Sequence, residues 1–345
     1  MSYRSMGIIK YILYRFFARF VVEYNQIINY KEEIMELILQ FVLLVVGFTM
    51  LVKGADWFVE GAAGIAVKFG IPQLVVGLTI VAMGTSAPEA AVSITGAMNG
   101  AADIAVGNVL GSNILNVLII LGLTGFITNV AIQKSTLMIE MPFMLGITVI
   151  FAFLGLKDGN VGFWDGVILW GLFIAYLAYL FVLAKKGNQE EDEPEERPVW
   201  KLILLGVVGA AIVVWGADIT VGAATTIASA LGLSERFIGL TIVALGTSLP
   251  ELVTSVTAAR KGNCDIAIGN IVGSNIFNIL FVIGTSSLII PIIFEATFLV
   301  DAVVALLAGV LLWVATVRKR ELNRPWGILM LVSYAAYLFY LLQLG

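Results

Sequence analysis

The stretch Gly77-Leu-Thr-Ile-Val-Ala-Met-Gly-Thr-Ser-Ala-Pro-Glu89 returns 162 positions later as Gly239-Leu-Thr-Ile-Val-Ala-Leu-Gly-Thr-Ser-Leu-Pro-Glu251. The same offset carries Asp103-Ile-Ala-Val-Gly-Asn108 onto Asp265-Ile-Ala-Ile-Gly-Asn270, and Gly111-Ser-Asn-Ile-Leu-Asn116 onto Gly273-Ser-Asn-Ile-Phe-Asn278. Between 77–125 and 239–287, 27 of 49 positions are identical, too many for two unrelated apolar segments. Gly54-Ala-Asp56 matches Gly216-Ala-Asp218, and Trp164 matches Trp326. After a one-residue gap, Tyr176 and Tyr179 match Tyr337 and Tyr340. The chain therefore contains two copies of one unit.

Each copy lies in apolar sequence. Of 345 residues, 60% are hydrophobic and 13% charged, against roughly 25% charged in a soluble domain. Ten apolar windows with few charges mark membrane spans, at about 37–53, 72–98, 104–125, 137–156, 163–184, 200–220, 234–259, 266–288, 296–317 and 325–344. Inside lipid the backbone must satisfy its own polar groups, which leaves helices or closed barrels. Windows this long and uniformly apolar are not barrel strands. The predicted fold class is an all-α membrane protein with ten transmembrane helices. The window 72–98 exceeds what a straight span needs and predicts a tilted or broken helix.

Five spans per copy is an odd number, so the second copy enters the membrane from the opposite side. The sequence predicts two inverted five-helix repeats, residues 35–184 and 200–345, joined by an acidic linker, 185–199. Glu190, Glu191, Asp192, Glu193, Glu195 and Glu196 lack the spaced ligands and turn glycine of a calcium loop, and read as a solvated face. Lys53, Lys68, Lys134, Lys185, Lys186, Arg197, Lys201, Arg260, Lys261, Arg318, Lys319, Arg320 and Arg324 fall in loops on one side, against Lys157 and Arg236 on the other. By the positive-inside rule the linker is cytoplasmic and both ends of the ten-helix bundle lie outside. Residues 1–34 carry Arg4, Lys10, Arg15, Arg19 and Lys31 on the wrong side for that rule. Two readings stand for this N-terminal extension: an interfacial amphipathic helix, or sequence upstream of a natural start at Met35.

The repeated motif puts carboxylates deep in the membrane. Pro88 has no N–H and its ring clashes with the Gly84 carbonyl, so the helix should kink or unwind there, eased by glycine. The Gly84 carbonyl and the Thr85 and Ser86 hydroxyls become available as oxygen ligands. Pro250 acts in the same way on Gly246, beside Thr247 and Ser248. Glu89 and Glu251 then lie near the bilayer centre, where a lone charge is costly, and no Lys or Arg lies within the core spans to pair with them. A bound cation is the natural partner. Carboxylates with hydroxyls, amides and carbonyls form the hard oxygen set that calcium prefers, and sodium would use the same atoms. On the following spans, Ser112 with Asn116, and Ser274 with Asn278, share one helix face through their spacing of four. Gly107 with Gly111, and Gly269 with Gly273, predict close helix approach, and Asn108 and Asn270 predict bonds across helices. Asp56, Asp218, Glu140 and Asp301 fall near span ends, where interfacial or capping roles are expected.

Other chemistries are excluded. The chain has no histidine and a single cysteine, Cys264. That removes histidine-based proteolysis, histidine proton relays, a disulfide framework and thiolate metal sites. No enzyme activity is expected. The net charge of −4 sits mostly in the linker, and no basic run suits nucleic acid.

The residues quoted resemble the calcium/cation antiporter superfamily, whose two repeats carry G-T-S-x-P-E and G-N-x-x-G-S-N. Here these read Gly84–Glu89 with Gly107–Asn113, and Gly246–Glu251 with Gly269–Asn275. The resemblance covers the chain from about Met35 and is nearest to the prokaryotic sodium/calcium exchanger branch. It implies a multi-pass cell-membrane antiporter that exchanges sodium for calcium by alternating access, with four clustered cation sites. It implies ligand roles for Glu89, Glu251, Thr85, Ser86, Thr247, Ser248, Ser112, Ser274, Asn116 and Asn278, joined by the backbone carbonyls of Ala82 and Ala244. It implies calcium and sodium as transported ions, the lipid bilayer as surroundings, no cofactor and no protein partner. The proton/calcium branch carries Glu near its second G-N, which this chain lacks. Some prokaryotic exchangers have Asp where Asn278 stands. The alternative readings are a proton/calcium exchanger and, in a different class, a cation channel.

Overall fold

The computed structural model describes residues 3–100, 103–186, 196–232 and 244–344. Among these, eight helices are long and apolar enough to cross a membrane, or nine if the bent pair Gln73–Thr85 and Ala87–Met98 is one span. The chain is an all-helical membrane protein. The window predicted at 234–259 lies partly outside the described residues.

Helix α1 (Tyr3–Phe69) is continuous. The span predicted at 37–53 is thereby corrected: the helix carries on through Lys53, Asp56 and Glu60, so Lys53 is a helix residue and not a loop residue. No proline interrupts this stretch, and the first left-handed residue is Gly70 (φ 61°), followed closely by Pro72. Then come α2 (Gln73–Thr85) and α3 (Ala87–Met98). Helix α4 runs through Asp103–Leu115, Asn116–Leu121 and Gly122–Ile127. It is followed by α5 (Thr136–Asp158) and α6 (Phe163–Lys185). Helix α7 (Val199–Ala230) overruns the predicted 200–220 and ends just before left-handed Gly232 (φ 78°). Next are α8 (Ala244–Thr247), α9 (Leu249–Arg260), α10 (Cys264–Ile289), α11 (Ala296–Val317) and α12 (Arg324–Leu344).

Of its most apolar stretch α10 buries 94% and α4 72%, whereas α1 and α12 bury 11% each. The core therefore forms around α4 and α10, the two helices that carry the duplicated Ser and Asn residues. A Cβ on Gly273 of α10 would stand 2.8 Å from the Leu78 Cα and carbonyl oxygen of α2. Only hydrogen fits there, as the small-residue spacing predicts for the second copy. In the first copy that expectation is corrected: among the described residues, a Cβ at Gly111 would meet nothing within 4 Å, and one at Gly107 only the Phe298 ring at 3.8 Å.

Two corresponding contacts tie the copies together. On α1 and α7, a Cβ at Gly54 would lie 2.8 Å from the Val213 nitrogen, and one at Gly209 would lie 2.4 Å from the Phe58 nitrogen. Gly47 faces Gly216, and Gly61 faces Gly206, so the two helices run antiparallel. Among the described residues, four two-residue strands form two sheets. β1 (Val130–Ala131) pairs antiparallel with β4 (Glu321–Leu322), with Val130 opposite Leu322. β2 (Asn160–Val161) pairs with β3 (Ile292–Ile293), with Val161 opposite Ile292. The repeat offset takes Val130 to Ile292, so each copy gives one strand to each sheet.

Candidate cation-binding site

Ser86 separates α2 from α3 with φ −82° and ψ 7°, and the two axes bend by 51°. Ser248 repeats the break ahead of α9 with φ −92° and ψ 7°. The break falls at the serine, two residues past the glycine. Pro88 and Pro250 lie in the first turn of the following helix, where a missing N–H costs nothing. Glu89 and Glu251 occupy those same first turns, where the positive end of the helix dipole favours a carboxylate.

Both carboxylates are shut away from the surroundings, at 1% and 0% exposure. The Ser248 hydroxyl donates to Glu89 Oε1 at 3.2 Å, and the Ser86 hydroxyl donates to Glu251 Oε1 at 2.7 Å. Each glutamate is thus held by the other copy's break. The second oxygen of each, Oε2, has no partner.

The asparagines extend this exchange. Asn113 Nδ2 donates to the Asn275 carbonyl at 3.1 Å, and Asn275 Nδ2 donates to the Asn113 carbonyl at 3.2 Å. Asn116 Nδ2 donates to Asn275 Oδ1 at 3.0 Å, and Asn278 Nδ2 donates to Asn113 Oδ1 at 3.1 Å. With their amino groups committed, Asn116 and Asn278 are left with buried, unpartnered Oδ1 atoms. Asn108 and Asn270 brace each glutamate helix. They donate to Ser93 and Ser255 at 2.9 Å each, and to the carbonyls of Glu89 at 3.3 Å and Glu251 at 3.4 Å. Sequence reasoning passed over Asn113, Asn275, Ser93 and Ser255. Their signal was identity between the copies at positions with no carboxylate or helix break to draw attention.

The remaining residues join the site unevenly. Thr85 donates to Asn270 Oδ1 at 3.0 Å. The Ala82 carbonyl accepts the Ser86 N–H at 3.0 Å and the Ser274 hydroxyl at 3.4 Å. Ser112 is buried on α4, Thr247 is half-buried on α8, and Ala244 is the first described residue of α8. Hydrogen bonds join Glu89 to Ser248 and Glu251 to Ser86, and separately Asn116 to Asn275 and Asn278 to Asn113, while Ser274 joins Ala82 and Thr85 joins Asn270.

For the acidic residues read as interfacial or capping groups, the capping half of the expectation is corrected. Asp56 lies within α1 and pairs with Lys261 Nζ at 3.1 Å. Asp218 is exposed inside α7. Neither caps a helix, because both helices run on past them. Glu140 is fully buried and accepts the Tyr179 hydroxyl, and Asp301 accepts that of Tyr337 at 2.7 Å.

Among the described residues no group of three or more His, Cys, Asp or Glu side chains could hold a metal ion. The donors here are two carboxylates among neutral oxygens, a set that suits hard cations and not transition metals. Glu89 Oε2, Glu251 Oε2, Asn116 Oδ1 and Asn278 Oδ1 are buried acceptors without donors, the kind of group that calls for a partner.

Comparison with known proteins shows what the whole chain is similar to. The model of the family described as sodium/calcium exchanger protein matches residues 39–182 and 201–343. The inner membrane protein YrbG of Escherichia coli is 34% identical over 298 residues, 80% of this chain and 89% of its own. The sodium/calcium exchanger MaX1 of Methanosarcina acetivorans is 32% identical over 320 residues, 81% of this chain and 91% of its own. Among solved structures, the sodium-calcium exchanger NCX_Mj soaked with zero Na+ and Ca2+ matches with a TM-score of 0.78 at 33% identity, over 88% of this chain and 99% of that one. Matched through both of its copies, the chain belongs to the sodium/calcium exchanger protein family.

Proposed function

We propose that this protein is a secondary antiporter that exchanges sodium for calcium across the cell membrane by alternating access. The observation that carries this reading is the set of four buried oxygens without partners, two of them carboxylate. Glu89 and Glu251 bring a charge of about −2 to the pocket, and calcium neutralises it. Sodium ions in its place use the same oxygens, and about three of them leave the pocket with one net positive charge. Exchange then moves charge across the membrane and responds to voltage, by about 2.3 kcal/mol per charge per 100 mV.

The two copies act as inverted five-helix repeats, residues 35–184 and 200–345, with the linker 185–199 in the cytoplasm and both ends of the bundle outside. The antiparallel packing of α1 on α7 supports the inversion, since these helices are repeat counterparts. Inverted copies give the outward-open and inward-open states similar geometry. The proposed ligands are those named from the sequence, with Asn113 and Asn275 orienting the amides of Asn278 and Asn116.

The test is flux. Liposomes holding the purified protein are loaded with sodium and diluted into sodium-free medium containing calcium. Uptake that follows the sodium gradient supports exchange. Uptake that follows a pH jump instead assigns the protein to proton coupling, and uptake that needs only a calcium gradient makes it a channel.

A further inference from the structure

Two ion pairs join the copies, and both lie at the same end of the bundle. Lys261 follows the last turn of α9. Its Nζ stands 3.1 Å from the Asp56 carboxylate of α1 and donates to the Asp56 carbonyl at 3.0 Å. One helical turn along α1, Glu60 pairs with Arg197, just ahead of α7. Asp56 and Glu60 belong to the first copy. Lys261 belongs to the second, and Arg197 leads into it. Both pairs therefore cross the boundary between the halves.

The repeat offset shows what stands at the opposite end. Asp56 corresponds to Asp218, and Lys261 to Asn99. Glu60 corresponds to Gly222, and Arg197 to Met35. Asp218 is kept but exposed, and neither Asn99 nor Met35 carries a charge that could pair. The fold is duplicated, and these crossing ion pairs are not.

That difference has an energetic consequence. A path to one side opens by parting the halves on that side, so bonds that cross there must break. Lys261 and Arg197 lie in the loops that the charge bias makes cytoplasmic. Helix α9 also holds Glu251 in its first turn, about 15 Å from Lys261 at the rise of an α-helix. One helix thus carries a site carboxylate near one end and a crossing ion pair at the other.

We propose that Asp56–Lys261 and Glu60–Arg197 form a one-sided latch that holds the cytoplasmic side closed and favours the state open to the outside. The inference rests on the alternating-access reading and on its orientation. All four side chains are half-exposed, so each pair shifts the balance modestly, by about two- to fivefold.

The test reads conformation with no ion gradient, so its outcome is independent of which ion drives exchange. Spin labels at Phe69→Cys and Arg260→Cys, in a Cys264→Ser background, report the separation of the α1 and α9 ends. Double electron–electron resonance is recorded in nanodiscs with calcium present. Lys261→Ala should raise the population at the longer separation by about two- to fivefold. Glu60→Gln should act in the same direction, and serves if Lys261→Ala fails to fold. Asp56→Lys combined with Lys261→Asp rebuilds the pair in reverse and should bring the distribution back toward wild type. A longer separation that this reversal does not undo would assign the effect to packing and overturn the latch. Distributions identical to wild type in Lys261→Ala and Glu60→Gln would overturn it as well.

Discussion

Ser86 and Glu251, 165 residues apart, are joined by a 2.7 Å hydrogen bond across the boundary between the two copies. Its counterpart runs from Ser248 to Glu89 at 3.2 Å. Neither half orients its own carboxylate. Any movement of one half relative to the other must break or carry along a bond to the charged group at the centre, which is how a pocket made by two halves can couple ion occupancy to conformation.

The crossing bonds predict the effect of losing one hydroxyl. Ser86→Ala leaves Glu251 Oε1 without that donor, and a hydrogen bond to a charged group contributes about 1.5–3 kcal/mol. Half-saturation for calcium uptake should rise roughly tenfold or more. Ser248→Ala should do less, because its bond is longer. The calcium dependence of initial uptake rates checks both, and unchanged half-saturation in Ser86→Ala would show that the bond does not orient a ligand.

Glu89→Gln and Glu251→Gln should each abolish calcium exchange while the protein still elutes as a folded species. Either change keeps the shape and removes one of the two charges that neutralise calcium in a low-dielectric pocket. Wild-type calcium flux in either variant contradicts the site assignment.

The packing of α1 on α7 predicts a stability change far from the pocket. Gly209→Val places a branched side chain where even a Cβ meets the Phe58 nitrogen at 2.4 Å. Overpacking of this kind costs about 1–3 kcal/mol, and the melting temperature in detergent should fall. Gly171→Val, where nothing lies within 4 Å of the Cβ, should leave it almost unchanged. Equal melting temperatures for the two variants would mean that the glycines do not set the approach of these helices.

Transport should not require potassium. The amide oxygens of Asn116 and Asn278 add acceptors but no charge, so calcium already balances Glu89 and Glu251. A potassium ion beside it would sit unneutralised in the membrane interior at high cost. Sodium-driven calcium uptake should be the same when external potassium is replaced by choline at fixed voltage. A steep loss on that replacement contradicts the two-carboxylate account.

The sequence exposed the parts of this molecule that repetition and charge make visible. Two copies of G-T-S-x-P-E, each with an unpaired glutamate, marked the helix breaks and the carboxylates, because a proline and a buried charge each have a known physical consequence. The orientation of the asparagines was not legible. Whether Asn116 turns its amino group or its oxygen toward the pocket depends on Asn275, 159 residues away. Helix ends were missed at Lys53 and in α7, because a charge inside an apolar run resembles a boundary, whereas the helices end only at left-handed Gly70 and Gly232. Glu140 was misread for a related reason. Its place near a span end masked a burial that the surrounding aromatic side chains impose.

The central claim is that one pocket holds either calcium or sodium. Equilibrium binding of radioactive calcium to the purified protein, titrated with sodium against choline at constant ionic strength, tests it directly. The account predicts complete release of calcium along a curve steeper than one-for-one competition, and no specific calcium binding in Glu251→Gln. Calcium that stays bound at saturating sodium, or binds Glu251→Gln as tightly as wild type, would contradict it.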